Sequence, residues 1–136
     1  MKKQIVFGGI IMEGYFIDYT DGDVRIISTK KNSFKELSIP KSGSASYPGL
    51  VFIVNNERIR ADTHRVIAEN ILPFPRPKSI PKKEWDKTPE IVRSHIKSLY
   101  FVNHIDHDKY NCHPSNLEWV TSKGNARAYQ EHKKSL

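Results

Sequence analysis

The chain has 136 residues, 38% hydrophobic and 27% charged, which suits one compact domain or a core motif with small appendages. Its single cysteine, Cys112, excludes an intramolecular disulfide and a multi-cysteine zinc site, and points to a reducing compartment. The net charge of +7 is uneven: residues 24–100 sum to +8, residues 1–23 to −2 and residues 101–136 to +1. A basic middle suggests a polyanionic partner, nucleic acid before membrane, with an ordinary solvated surface as the plain alternative.

Lys2 and Lys3 followed by an apolar run over residues 5–12 imitate the start of a secretory signal. The run is too short to cross a bilayer, and Glu13, Tyr15 and Phe16 follow where a small-residue cleavage site would stand. It reads as a buried strand, and the protein as cytoplasmic. Further strands follow up to residue 29, with Asp21-Gly22 as a hairpin turn. A basic loop carries Lys30, Lys31 and Lys35, and residues 41–44 are a flexible polar stretch. Residues 50–54 and 58–61 make a second hairpin around Asn55-Asn56, with Arg58 and Arg60 on one face. Arginines so placed can grip a DNA groove.

Asp62 or Thr63 can cap a helix over residues 64–72, with His64 and Arg65 at its head and Pro73 as its stop. His64 reads as a ligand, a phosphate contact or, most simply, a histidine packed beside a sheet. Residues 73–87 contain Pro73, Pro75, Pro77 and Pro81 and show no helical or strand period, so they read as a stiff, basic linker. Its Arg76, Lys78, Lys82 and Lys83 can track a phosphate backbone, a disordered connection being the alternative. Thr88-Pro89-Glu90 begins a helix whose Ile91, Val92, Ile96 and Leu99 would face the core, leaving Arg93 and Lys97 outside. The chain thus divides into a β-rich region over 1–72, a linker over 73–87 and a last unit over 88–136. Arg25, Lys30, Lys31, Lys35, Arg58, Arg60, Arg65, Arg76, Lys78, Lys82 and Lys83 form the candidate nucleic-acid surface.

The last unit reads FVNHIDHDKYNCHPSNLEWVTSKGNARAY over residues 101–129: strand, polar loop, strand, helix. Phosphodiester hydrolysis needs a base to activate water and a cation to offset charge on the phosphate and leaving oxygen. Histidine titrates near neutrality, so neutral His104 can take the proton. An amide such as Asn116 can hold a base in one orientation by hydrogen bonding. The amide oxygens of Asn103 and Asn125 are hard donors suited to Mg²⁺. Asn103 and His104 are neighbours on a strand, so they share a site only if the strand twists or ends there. His107, Cys112 and His113 form a second cluster, but three ligands without a fourth make a poor structural zinc site.

VNHID, NLEWVT and the asparagine of SKGNARAY together resemble the HNH endonucleases, specifically the small homing-endonuclease branch of phages and introns. GYFIDYTDGDVRIIS looks like the β-segment that often precedes that nuclease, and ADTHRVIAENILPFP like the family's helix beginning His-Arg. The resemblance implies an α+β fold in which N-terminal antiparallel hairpins and short helices precede a ββα-metal (His-Me finger) motif. It implies hydrolysis of double-stranded DNA, leaving 5′-phosphate and 3′-hydroxyl ends, by a monomer if one strand is nicked or a possible dimer if both are cut. His104 would be the general base and Asn116 its orienting residue. Asn103 and Asn125 would hold one Mg²⁺ or Mn²⁺. The β-ribbon would lie in the major groove, with the nuclease motif across the minor groove. A phage-encoded protein would act in the host cytoplasm, without a membrane.

The chain departs from the family in places. Asn103 stands where Asp is common, His107 where glycine follows Asp106, and Ala128 where some relatives carry a histidine. The alternative reading is a catalytically decayed DNA-binding protein.

Overall fold

In the computed structural model, which describes residues 1–30, 33–43 and 47–120, a four-stranded antiparallel meander is followed by two separate two-stranded ribbons and three short helices. The meander runs β1 (Lys2–Phe7), β2 (Ile10–Thr20), β3 (Asp23–Ser28) and β4 (Lys35–Leu37) in that spatial order. The first ribbon pairs β5 (Gly49–Val54) with β6 (Glu57–Asp62). The second pairs β7 (Phe101–His104) with β8 (Leu117–Val120). The helices are α1 (Thr63–Asn70), α2 (Lys82–Lys87) and α3 (Glu90–Lys97). The fold is α+β, as the sequence suggested.

Asp21 and Gly22 take φ of 55° and 80°, and Asn55 and Asn56 take 52° and 63°. Two successive left-handed residues let a two-residue loop follow the twist of its strands, which is why Asp, Asn and Gly stand there. The apolar run over residues 5–12 is not one strand. Gly8 and Gly9, at φ of 59° and 82°, fold it into a third tight turn between β1 and β2.

One core runs through the chain. Ile5, Met12, Ile17 and Ile26 of the meander pack with Leu50 and Phe52 of β5, Val66 and Ile67 of α1, and Val102 and Leu117 of the second ribbon. Tyr15 joins the first two sheets: its ring meets Phe52 edge-on at 4.8 Å, and its hydroxyl accepts a bond from the Ile53 amide at 2.9 Å.

Residues 73–87 are more structured than a linker without period would be. Trp85 in α2 is buried, and Phe74 packs against Trp85, Tyr100 and Trp119 with ring centroids 4.9–5.6 Å apart. The prolines keep the path extended, while Phe74 fastens it to Trp119 of the last ribbon and Trp85 packs behind Phe74. Thr88 does not cap α3. Its hydroxyl donates to the Glu84 carbonyl at 2.7 Å and closes α2.

The buried face of α3 also differs from expectation. Ile91, Val92 and Leu99 are exposed, whereas Ser94 is buried and Arg93 and Lys97 are half-buried. The reason is a polar partner, the buried carboxylate of Glu69 in α1. It accepts bonds from the Gly8 amide at 2.9 Å and the Ser94 hydroxyl at 3.1 Å, while Ser94 Oγ also accepts from the Gly9 amide. Lys97 Nζ donates to the Glu69 carbonyl at 3.3 Å. Burial pushes the Glu69 pKa up. Beside it, Asn70 exchanges two bonds with the Val6 backbone at 2.9 and 3.0 Å, where the β1–β2 pairing is irregular. Helices α1 and α3 thus hold the first β-turn through hydrogen bonds rather than apolar contact.

Candidate active site

His104 closes β7, and its cross-strand partner is Leu117, the first residue of β8. Both side chains point inward and are buried. Asn103, one residue earlier, lies opposite Glu118 and donates its amide to that carboxylate at 2.8 Å. The side chains along β7 alternate in burial, so Asn103 and His104 take opposite faces, as strand geometry requires. The strand ends at His104, where a turn begins with His107 N–H donating to the His104 carbonyl at 2.9 Å.

The loop between β7 and β8 is built around Asp106. Its carboxylate accepts from the Asp108 amide at 2.8 Å and from the side-chain amides of Asn111 and Asn116, both at 2.9 Å. These bonds, that from Asn111 first, hold its carboxyl below the usual carboxylate range. Asn116 ends a short 3-10 turn, Pro114–Asn116, and is buried. Its Oδ1 accepts from the Asp106 amide at 3.1 Å, and its Nδ2 also donates to the Asn111 carbonyl at 2.9 Å. Its backbone carbonyl accepts from Ile105 N–H at 2.8 Å. Asn116 therefore braces the turn that follows His104. The bond to the imidazole expected from sequence is replaced by bonds to the loop, because the loop's own polar groups surround the amide.

The imidazole of His104 sits among three side chains. Tyr47 stacks over it with centroids 6.0 Å apart, His64 lies against it at 4.7 Å, and Cys112 Sγ is 3.9 Å from its Nε2. Burial lowers the His104 pKa from its ordinary 6.5, although Asp106 and Asp108 pull the other way. His64, also buried, is pushed down to about 4 by burial first and by His104 second. Burial raises the Cys112 thiol to about 11. At neutral pH the site holds two uncharged imidazoles and a protonated thiol. His64 is thus a packed histidine beside the site.

His107, Cys112 and His113 do not converge on a metal. His113 Nδ1 accepts from the Ser115 amide at 3.1 Å, and its Nε2 donates to the Gly22 carbonyl at 2.7 Å, tying the loop to the β2–β3 turn. Among the described residues, no group of three or more His, Cys, Asp or Glu could hold a metal ion. On the face of β7 opposite to His104, Asn103 uses its amide nitrogen on Glu118, which leaves its amide oxygen as a hard donor of the kind a divalent cation takes. Asn125, the other expected ligand, lies outside the described residues, as does Lys31.

The basic residues separate into two groups. Arg25, Lys30, Lys35, Arg58, Arg60, Arg76, Lys78, Lys82 and Lys83 are exposed. Some have partners: Arg60 pairs with Asp62 at 2.6 Å and donates to the Tyr47 carbonyl, Lys82 pairs with Asp86 at 2.7 Å, and Arg76 donates to the Ile80 carbonyl. Exposed pairs of this kind are weak and exchange readily for phosphate. Arg65 stands apart. Its guanidinium donates to the carbonyls of Tyr100 at 2.6 Å, Ser98 at 3.1 Å and Lys97 at 3.4 Å, capping the end of α3, and it lies over the Trp119 ring. The structure uses this cation inside the fold.

Sequence reasoning did not assign Tyr47, Cys112, Asp106 or Glu118 to the site. Cys112 and Asp106 lie in the loop that returns the chain to β8, and Glu118 sits across the ribbon from Asn103. Tyr47 comes from far upstream, without a motif around it.

Comparison with known proteins agrees with this geometry. The HNH endonuclease family model matches residues 62–127, which include α1, both strands of the second ribbon and all four of Asn103, His104, Asn116 and Asn125. A solved structure described as "DNA binding and cleavage by the HNH homing endonuclease I-HmuI" is similar in fold over the whole chain, with a TM-score of 0.60 at 22% identity. The chain spans 60% of that protein's length. No curated protein sequence matches the chain. Residues 62–127 of this chain are thus similar to the HNH endonuclease family, and the chain as a whole shares a fold with one of its homing members.

Proposed function

We propose that the protein is a divalent-metal-dependent endonuclease of the homing type that hydrolyses phosphodiester bonds in double-stranded DNA. The observation that carries the reading is His104: a buried, neutral imidazole at the end of β7, followed by a turn that Asn116 locks. A neutral imidazole takes a proton from water as the water attacks phosphorus. Asp106 and Asp108 favour the imidazolium that results, since both pull the His104 pKa upward. Asn103 and Asn125 would hold the cation, with Glu118 beside the first. When bound, the cation offsets charge on the phosphate and on the leaving 3′-oxygen. His104 then returns its proton to solvent.

DNA would lie against the exposed cations of the β-hairpins and the proline-rich segment: Arg25, Lys30, Lys35, Arg58, Arg60, Arg76, Lys78, Lys82 and Lys83. Support comes from their exposure and from the +8 sum over residues 24–100. Phosphate contacts of this type position a protein on the duplex without reading sequence. Arg65 is left out of this surface. Phage origin and action in a host cytoplasm are consistent with the small homing-type pattern.

The test is incubation of purified protein with supercoiled plasmid and phage DNA, with Mg²⁺ or with EDTA. Open circles with Mg²⁺ would identify a nicking enzyme, and linear product a double-strand cutter. Retarded but uncut DNA under every metal condition would identify the decayed, DNA-binding alternative.

A further inference from the structure

Because Asn116 spends its amide on the loop, another group must fix the His104 ring about its long axis and choose its tautomer. Tyr47, stacked on the ring, and His64, tilted against it, confine it by ring contact, which does not distinguish its two nitrogens. Among the described residues, Cys112 is the side chain that meets a polar atom of the ring.

We propose that Cys112 is a positioning residue for His104: its sulfur accepts the Nε2 hydrogen, which leaves the lone pair on Nδ1 to take the proton. The geometry rests on two contacts. Cys112 Sγ lies 3.6 Å from the Lys109 carbonyl, to which the thiol donates, and 3.9 Å from His104 Nε2. A thiol has one hydrogen. With that hydrogen on the nearer carbonyl, only sulfur lone pairs remain for the imidazole, so the tautomer that can bond to the sulfur is the one with its hydrogen on Nε2. Cys112 is buried, so water does not compete for either contact. The hydrogen bond of one ring nitrogen sets which form the other takes. Sulfur is a weak acceptor, and here burial and the rings of Tyr47 and His64 keep the contact in place. The loop that Asn116 braces carries both Lys109 and Cys112, so bracing and positioning act in series.

The inference rests on the reading of His104 as the base, and the test separates the two. Long-range ¹⁵N–¹H spectra of the full chain at pH 8 report the His104 tautomer whether or not the protein cuts DNA. The wild type should show the Nε2–H form. Cys112→Ala should show a mixture of tautomers, with kcat for plasmid cleavage lower by about tenfold and KM for DNA unchanged. Cys112→Ser, which keeps a donor and an acceptor, should recover the Nε2–H form and most of kcat. Thermal melts exclude global unfolding in each variant. A wild-type Nδ1–H tautomer, or a Cys112→Ala variant with wild-type tautomer and kcat, overturns the proposal. Absence of cleavage in the wild type, with the tautomer responding to Cys112 as expected, would instead refute the nuclease reading and leave the positioning contact standing.

Discussion

Asn116 and Asp106 are joined in both directions: the Asp106 amide donates to Asn116 Oδ1 at 3.1 Å, and Asn116 Nδ2 donates to Asp106 Oδ1 at 2.9 Å. This closed pair fixes the turn that leaves β7, and with it the place where the His104 ring enters the interior. Asn116→Ala should therefore cost about 1–3 kcal/mol of stability, since buried groups of the loop lose their partners. Cleavage should fall by about 10–100-fold. Asn116→Asp should be no better, because it sets two carboxylates against each other. Chemical denaturation and plasmid cleavage measure the two effects, and a wild-type melt for Asn116→Ala would contradict the bracing role.

The pH dependence follows from burial. His104 ionises below its ordinary 6.5, so its neutral, proton-accepting form is already dominant at pH 6.5. The rate should rise with pH in the acid range and change little above neutrality. A rate still climbing steeply between pH 7 and 8 would argue against His104 as the base. Stability should respond to the neighbouring histidine. The folded pKa of His64 is about 4 against 6.5 unfolded, so the unfolded state binds more protons between those values. Its contribution is present in full above pH 6.5 and is lost as pH falls toward 4, by up to about 3 kcal/mol. His64→Phe should flatten that part of the stability profile, as thermal melts from pH 4 to 7 would register.

The two classes of basic residue should behave differently in DNA binding. Arg58→Ala and Arg60→Ala should weaken binding, and each should reduce the log–log salt slope by about 0.9 for every phosphate it no longer neutralises. Arg65→Ala should leave the slope unchanged and destabilise the fold by about 2–4 kcal/mol, since three carbonyls at the end of α3 lose a charged donor. Salt titrations of DNA affinity alongside melts would distinguish them. An Arg65 variant that folds normally but shows a reduced slope would reverse the assignment.

Asn103 offers one neutral oxygen where a carboxylate would bind a cation more tightly. Asn103→Asp should lower the Mg²⁺ concentration needed for half-maximal cleavage by several-fold, unless repulsion from Glu118, now facing a second carboxylate, dominates. Asn103→Asp combined with Glu118→Gln removes that repulsion. An unchanged Mg²⁺ requirement in the double variant would remove Asn103 from the ligand set.

Much of this fold was legible where a local residue type enforces a local shape. Asp21-Gly22 and Asn55-Asn56 mark their turns because only such residues take positive φ cheaply. Gly8-Gly9 carried the same signal, but the apolar residues on both sides hid it inside one long strand. The face of α3 was misread because apolar spacing presumes an apolar partner, and here the partner is Glu69. The resemblance identified glycine as usual after Asp106. The structure supplies the reason, since His107 there has φ of 63°. Asn103, His104 and Asn116 stand out in the sequence by their intervals, yet the bonds of Asn116 do not. Its bonds go to Asp106 and Asn111 within the loop, and spacing alone does not reveal which neighbour an amide faces. Tyr47 and Cys112 reach His104 through tertiary packing, for which the sequence carries no periodic mark.

In the proposed function His104 takes the proton while other residues hold the DNA. This division of labour is tested most directly by comparing His104→Ala with the wild type in two assays on the same DNA, cleavage with Mg²⁺ and equilibrium binding without cleavage. Cleavage should disappear and affinity stay within about threefold, because a buried imidazole contributes little to the phosphate contacts that dominate binding. Cleavage by His104→Ala at the wild-type rate would contradict it.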